Sequence, residues 1–170
     1  MIKEKQLELL SFNIGNILKT KKKTITIAES CTGGWITKCL TSIDGSSNYF
    51  KYGFITYSNE AKYKMINVNK IILKYFGAVN KKVVYEMVKG AIKKSSADYG
   101  ISVSGIAGPN GGTLKKPIGT VWFAFAEKKI NNKIYISTKY KIFHGNRKII
   151  RLKSTNYALQ TFLQKIKDKK

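Results

Sequence analysis

The sequence predicts an α/β protein: a three-layer α/β/α sandwich on a mixed sheet, with residues 1–170 forming a single domain. Three observations carry this prediction. Segments with apolar residues at three- and four-residue spacing alternate with short β-branched runs, the pattern of helices and strands taking turns along a chain. The run 118–126 is so continuously apolar that both faces of its strand must be covered, which puts helices on both sides of the sheet. Ile134, Ile136, Tyr140 and Ile142 alternate with Tyr135, Ser137, Lys139 and Lys141, the two-residue period of a half-exposed edge strand.

Taken in order, Leu7, Leu10, Ile14, Ile17 and Leu18 predict an amphipathic helix over 4–19, ending near the Lys21-Lys22-Lys23 run, where cations suit a helix C-terminus. A strand follows over 24–28, and Glu29-Ser30-Cys31-Thr32-Gly33-Gly34 then breaks the pattern before a helical stretch with Trp35, Ile36, Cys39 and Leu40. Residues 50–57 read as a second strand, 59–65 as a short helix with a Ser or Asn cap, and 69–76 as another. Residues 80–96 place Val83, Val84, Met87, Val88, Ala91 and Ile92 on one side of a helix, with Asn80 as its N-cap. Strands over 99–106 and 118–126 flank a Gly/Pro/Lys loop at 107–117, and Asn131-Asn132 turns the chain into the edge strand. A last helix over 147–166 buries Leu152, Leu159, Phe162, Leu163 and Ile166.

With 32 Lys and Arg against 9 Asp and Glu, the formal net charge is +23, which on its face suggests a polyanionic partner. Two details point elsewhere. Arg147 and Arg151 are the only arginines, whereas proteins that read phosphates and bases favour the planar guanidinium. The lysines are also spread along the whole chain, so we read them as solvent-facing residues that attract nucleic acid only non-specifically and at low salt. Cys31, Cys39 and the single His144 cannot supply a four-ligand zinc set, and no metal or other cofactor is expected. The absence of a disulfide framework fits a reducing compartment. No apolar run reaches the length of a membrane span and the N-terminal segment lacks the apolar stretch of a signal peptide, so a cytoplasmic protein without membrane contact is expected.

Functional residues concentrate on loops held by rigid strands. Three polar, glycine-bearing segments leave strand ends: Ser30-Cys31-Thr32-Gly33-Gly34, Tyr57-Ser58-Asn59-Glu60-Ala61-Lys62 and Ser104-Gly105-Ile106-Ala107-Gly108-Pro109. In an open α/β sheet such ends converge on one crevice. The first segment opens a helix, whose free N–H groups suit a phosphate or a developing oxyanion, although its spacing is neither that of a P-loop nor of a dinucleotide fingerprint. Ser30 is inert as a nucleophile until a base takes its proton, and His144 lies far along the chain with no obvious carboxylate to orient it. A desolvated lysine can serve instead, and Lys62 follows Tyr57 into a helix from a strand end. Ser30, Tyr57 and Lys62 then make a Ser-Lys site in which Tyr57 orients or relays the proton. Spacing alone favours a simpler reading: Ser30 caps a helix, Tyr57 packs, and Lys62 is one solvated lysine among many. Cys31 is the rival nucleophile at the same helix start, and without a histidine partner it reads as a packed thiol. Arg147 can pair bidentately with a phosphate or carboxylate, or hold a structural salt bridge.

Taken together, Ala28-Glu29-Ser30-Cys31-Thr32-Gly33-Gly34, Thr56-Tyr57-Ser58-Asn59-Glu60-Ala61-Lys62, Ser104-Gly105-Ile106-Ala107-Gly108-Pro109, Gly111-Gly112-Thr113 and Lys116-Pro117-Ile118-Gly119-Thr120-Val121 resemble the CinA C-terminal domain family. The resemblance runs from the first helix to Arg151, with one visible departure at Asn80, where Ser is usual and both residues cap helices. For a chain too short to carry the additional N-terminal domain of larger members, it implies hydrolysis of nicotinamide mononucleotide to nicotinic acid mononucleotide and ammonia, in pyridine nucleotide recycling. It also implies that Ser30, Tyr57 and Lys62 are the catalytic group. Ser30 would attack the carboxamide carbon, Lys62 as the neutral amine would take its proton, directly or through Tyr57, and N–H groups near Thr32, Gly33 and Gly34 would hold the oxyanion. The nucleotide is expected at Ser104, Gly105 and Gly108, with Lys116 or Arg147 offered to its phosphate. The expected partner is thus a small nucleotide substrate, with no specific nucleic acid and no membrane; a homo-oligomer is compatible with this. Two alternatives stay open: a basic, non-enzymatic nucleic-acid-associated protein linked to competence or DNA damage, which no recognisable nucleic-acid-binding motif supports, and a Ser-Lys amidase for another small amide.

Overall fold

The computed structural model describes residues 4–167. Its elements run α1 (Glu4–Thr20), β1 (Ile25–Glu29), α2 (Trp35–Thr41), β2 (Phe50–Ile55), α3 (Asn59–Ile66), α4 (Lys70–Phe76), α5 (Lys81–Ser95), β3 (Tyr99–Gly105), β4 (Thr120–Lys128), β5 (Ile134–Ile142) and α6 (Arg147–Lys167). The sheet has the order β2-β1-β3-β4-β5. Strands β1, β2 and β3 are parallel, while β4 and β5 pair antiparallel, so the sheet is mixed.

The two-residue period of the strands builds the layers. Ile25 and Ile27 of β1, Ile101 and Val103 of β3, and Val121, Phe123 and Phe125 of β4 face one core, which α1, α2 and α6 close with Leu7, Ile14, Leu18, Ile36, Leu40, Leu159 and Phe162. The alternate residues Ala28, Ala124 and Ala126 face Val84, Met87, Val88 and Ile92 of α5, together with Ile66 and Leu73 from α3 and α4. Small side chains on that face let α5 lie close: Ser102 Oγ donates to the Val84 carbonyl at 2.6 Å. This is the predicted three-layer sandwich, with β5 at the sheet edge. Asn80 caps α5 as expected, its Oδ1 accepting from Lys82 N at 2.9 Å.

The boundaries differ where apolar character and pairing disagree. Strand β4 begins at Thr120 rather than 118, because Gly119 adopts φ +92 in a turn and donates to the Ile106 carbonyl. It runs on through the polar Glu127 and Lys128, which pair with Tyr135 and Ile134 of β5. Strand β2 stops at Ile55, two residues early, and β1 starts one residue late, at Ile25.

Because β1, β2 and β3 are parallel, their carboxyl ends and the three predicted loops lie on one side of the sheet, with β1 between its two neighbours. The α3–α5 contact that supports the second loop is tight: a Cβ on Gly90 would lie 1.9 Å from the Ile66 carbonyl oxygen. Gly90→Ala is therefore expected to destabilise the fold by about 3 kcal/mol, despite the better helix propensity of Ala. Urea unfolding measures this. A neutral or stabilising result would show that α5 can shift away from α3.

Candidate active site

Glu29 ends β1 fully buried, and its carboxylate turns back over the loop. It accepts from Gly34 N at 3.0 Å, Ile36 N at 3.2 Å and Thr37 N at 2.8 Å. These are the orphan donors at the start of α2, and a carboxylate there also suits the helix dipole. Gly33 and Gly34 hold φ of +59 and +89, a conformation that favours glycine. Gly33 N donates to the Ser30 carbonyl at 3.0 Å, and Ser30 N donates to Val103 of β3 at 3.0 Å. Of the N–H groups expected to serve an oxyanion, those of Thr32, Gly33 and Gly34, the two glycine amides are engaged, one by Ser30 and one by Glu29. The amides of Cys31 and Thr32, the two residues that follow Ser30, have no oxygen acceptor among the described residues, and the Cys31 N–H meets its own thiol.

Ser58 caps α3 by accepting from Ala61 N at 2.9 Å, which fixes the first turn from which Lys62 points inward. Lys62 is fully buried. Its Nζ lies 3.0 Å from Ser30 Oγ and 2.8 Å from the Thr56 carbonyl, with the Tyr57 and Ser58 carbonyls at 3.5 Å. Burial pulls its ammonium down to about 8. The environment thus offers a neutral amine near neutral pH, one hydrogen-bond length from a serine hydroxyl. Burial pushes the neighbouring Cys31 thiol in the opposite direction, up to about 12, which keeps it protonated and unreactive.

Tyr57 is exposed, and its hydroxyl accepts from Arg147 Nη2 at 2.6 Å. No hydrogen bond joins that hydroxyl to Ser30 or Lys62 among the described residues, whereas Lys62 meets Ser30 directly. Arg147 Nη1 donates to the Gly108 carbonyl at 2.8 Å, and one guanidinium therefore ties the second loop to the third. Ser104 is buried, and its hydroxyl donates to the Ala78 carbonyl at 2.8 Å. Gly105 is required by packing, since a Cβ there would lie 2.7 Å from the Thr120 carbonyl oxygen. Lys116 Nζ donates to the Phe76 carbonyl at the end of α4 at 3.0 Å, two residues before the Ala78 that Ser104 touches.

Two residues in this region were given no role from the sequence. Glu29 is one, and the signal for it was an acid at a strand end just before a helix start. Arg151 is the other: its Nη2 donates to the Thr32 carbonyl at 2.7 Å, and its guanidinium lies over the Trp35 ring, 5.4 Å from the centroid. Its signal was its type, one of two arginines in a lysine-rich chain, four residues after Arg147 on the same helix face. Among the described residues no His, Cys, Asp or Glu cluster gathers closely enough to hold a metal ion, and no helix is long and apolar enough to cross a membrane.

The chain is similar to known proteins over nearly its whole length. The nicotinamide-nucleotide amidohydrolase PncC of Escherichia coli K12 is 50% identical over 161 residues, 95% of each chain. That of Enterobacter agglomerans is 47% identical over 95% of this chain and 96% of its own. Among solved structures, the competence damage-inducible protein A of Klebsiella pneumoniae superposes with a TM-score of 0.89 at 32% identity, over 96% of this chain and 99% of that one. The competence/damage inducible protein CihA of Agrobacterium tumefaciens gives 0.86 at 35% identity, over 94% of each chain. The model of the CinA C-terminal domain matches residues 7–166, which include all three loops and both arginines, and the chain belongs to the CinA C-terminal domain family.

Proposed function

We propose that residues 1–170 form a single amidohydrolase domain that converts nicotinamide mononucleotide and water to nicotinic acid mononucleotide and ammonia. The observation that carries this reading is the buried Lys62 amine, 3.0 Å from Ser30 Oγ and with no carboxylate partner among the described residues. The amidohydrolase name of full-length relatives at 50% identity supplies the substrate.

The neutral Lys62 amine accepts the Ser30 hydroxyl proton as Oγ attacks the carboxamide carbon. Negative charge develops on the carboxamide oxygen, and the N–H groups of Cys31 and Thr32, which have no oxygen acceptor among the described residues, are the donors we assign to it. The tetrahedral intermediate collapses with cleavage of the C–N bond, the Lys62 ammonium returning its proton so that ammonia departs. This leaves an ester on Ser30. Water attacks that ester, Lys62 again taking the proton, and the second collapse releases the carboxylate product and restores the Ser30 hydroxyl. Thr56 anchors the amine throughout, because its carbonyl accepts an N–H in either protonation state. Arg147, braced between Tyr57 and Gly108, is the cation we assign to the nucleotide phosphate, in preference to Lys116.

Incubation with nicotinamide mononucleotide should release ammonia and give a product in which the amide NH2 is replaced by OH, read by mass spectrometry. Other small amides, tested in the same panel, should turn over at least about tenfold more slowly. An equal or faster rate on another amide would reassign the substrate while keeping the Ser-Lys chemistry.

A further inference from the structure

Arg151 is a charge without a counter-charge. No carboxylate among the described residues forms an ion pair with it, and its Nε is buried with no hydrogen-bond partner. Its Nη2 instead donates to the Thr32 carbonyl at 2.7 Å. The peptide that carries this carbonyl also carries the Gly33 N–H, which donates to the Ser30 carbonyl at 3.0 Å. The peptide that carries the Ser30 carbonyl carries in turn the Cys31 N–H, which has no oxygen acceptor among the described residues and meets only its own thiol. Two peptide groups thus stand head to tail, a cation at the carbonyl end and, at the other, an N–H with no oxygen acceptor among the described residues. Hydrogen bonds in such a chain polarise one another, and the effect is largest where water is excluded. The fully buried Thr32 and the packing of Arg151 over Trp35 supply that exclusion. Glu29, the carboxylate beside this loop, accepts from Gly34 at the N-cap of α2 and from the α2 amides of Ile36 and Thr37.

We infer that Arg151 is a positioning residue for the oxyanion hole: acting through the Thr32–Gly33 and Ser30–Cys31 peptides, it orients and polarises the Cys31 N–H toward the oxyanion. The inference rests on the amidase reading. It assigns Arg151 a role distinct from that of Arg147, one turn earlier on the same face of α6, which reaches Tyr57 and Gly108 instead. A donor strengthened in this way acts where charge develops, so its loss falls on the chemical step and leaves substrate affinity unaltered.

The test compares Arg151→Met, Arg151→Gln and Arg151→Lys with wild type, using nicotinamide mononucleotide and following kcat, KM, the pH profile and the melting temperature. Arg151→Met should lower kcat by about 10- to 100-fold, with KM changed less than about threefold and the midpoint of the pH profile unmoved. Arg151→Lys, which keeps a cation at the Thr32 carbonyl, should recover most of the loss, whereas Arg151→Gln, which keeps a donor without charge, should not. If the Met variant fails to fold, the ratio of Lys to Gln kcat decides, about fivefold or more being expected. A Met or Gln variant with wild-type kcat, a loss confined to KM, or equal Lys and Gln rates would overturn the role. A wild type inert toward the nucleotide removes the amidase reading and this inference with it, whereas an active wild type with unaffected variants removes only the inference.

Discussion

Ser30→Ala is expected to lower kcat for nicotinamide mononucleotide by about ten-thousand-fold or more, since it deletes the attacking atom and leaves only the hole and the binding residues to act. The fold should survive the change. Ser30 is held by its backbone, N–H to Val103 and carbonyl to Gly33, so the side chain contributes little beyond one hydrogen bond to Lys62. Its removal should cost about 1 kcal/mol in urea unfolding. The neighbouring thiol provides the internal control. Cys31→Ala should retain turnover within about threefold, because a thiol pushed up to about 12 is not ionised at working pH and its backbone N–H is unchanged by the substitution. Residual activity of Ser30→Ala above a few per cent, lost only when Cys31 is also replaced, would transfer the nucleophile to the thiol.

Much of this molecule was legible in its residues, and the division between what was and was not follows from physics. Periodicity records which side of an element is buried. The apolar 118–126 run and the alternating β5 therefore gave the layers and the edge, while the exact start of β4 depended on Gly119 pairing with Ile106, a contact that periodicity does not encode. The convergence of the three loops was likewise legible, because parallel strands put their carboxyl ends together. The partners of long side chains were not. A Gly-rich helix start reads as an open anion site, but here the Glu29 carboxylate folds back into it and takes Gly34, Ile36 and Thr37. That leaves Thr32, within the expected segment, and Cys31, just before it, as the amides with no oxygen acceptor among the described residues. For the same reason Tyr57 reads as a neighbour of Lys62 along the chain, yet its hydroxyl lies with Arg147, ninety positions away in sequence. Chain spacing placed the loops; the reach and burial of Glu29, Lys62, Arg147 and Arg151 decided what they do.

Lys62→Met is expected to abolish turnover, by about a thousandfold or more, and at the same time to stabilise the fold. The two effects have one cause. Burial lowers the Lys62 ammonium from the usual 10.5 to about 8, so at pH 7 the folded protein holds a buried cation at a cost of roughly 3 kcal/mol relative to an unshifted lysine. Met fills a similar volume without that charge. It also leaves the Thr56 carbonyl without its 2.8 Å donor, which returns about 1 kcal/mol of the gain. A net stabilisation of about 1–2 kcal/mol at pH 7 follows. Its pH dependence has a definite sign. Between pH 8 and pH 10.5 the unfolded chain binds a proton that the folded chain has released, so wild-type stability contributed by this group rises with pH across that window. The advantage of Lys62→Met should therefore be fullest below pH 8 and shrink as the pH approaches 10.5. Activity carries the same signature: kcat/KM of the wild type should climb about tenfold per pH unit below 8 and level off above it, as the neutral amine becomes the major form. Urea titrations of both proteins across this range, beside the wild-type pH–rate profile, measure the two together. A Lys62→Met protein less stable than wild type at pH 7 would mean that the buried ammonium is adequately solvated by its carbonyls, and a flat pH–rate profile between 6 and 8 would mean that no amine titrating near 8 limits the rate.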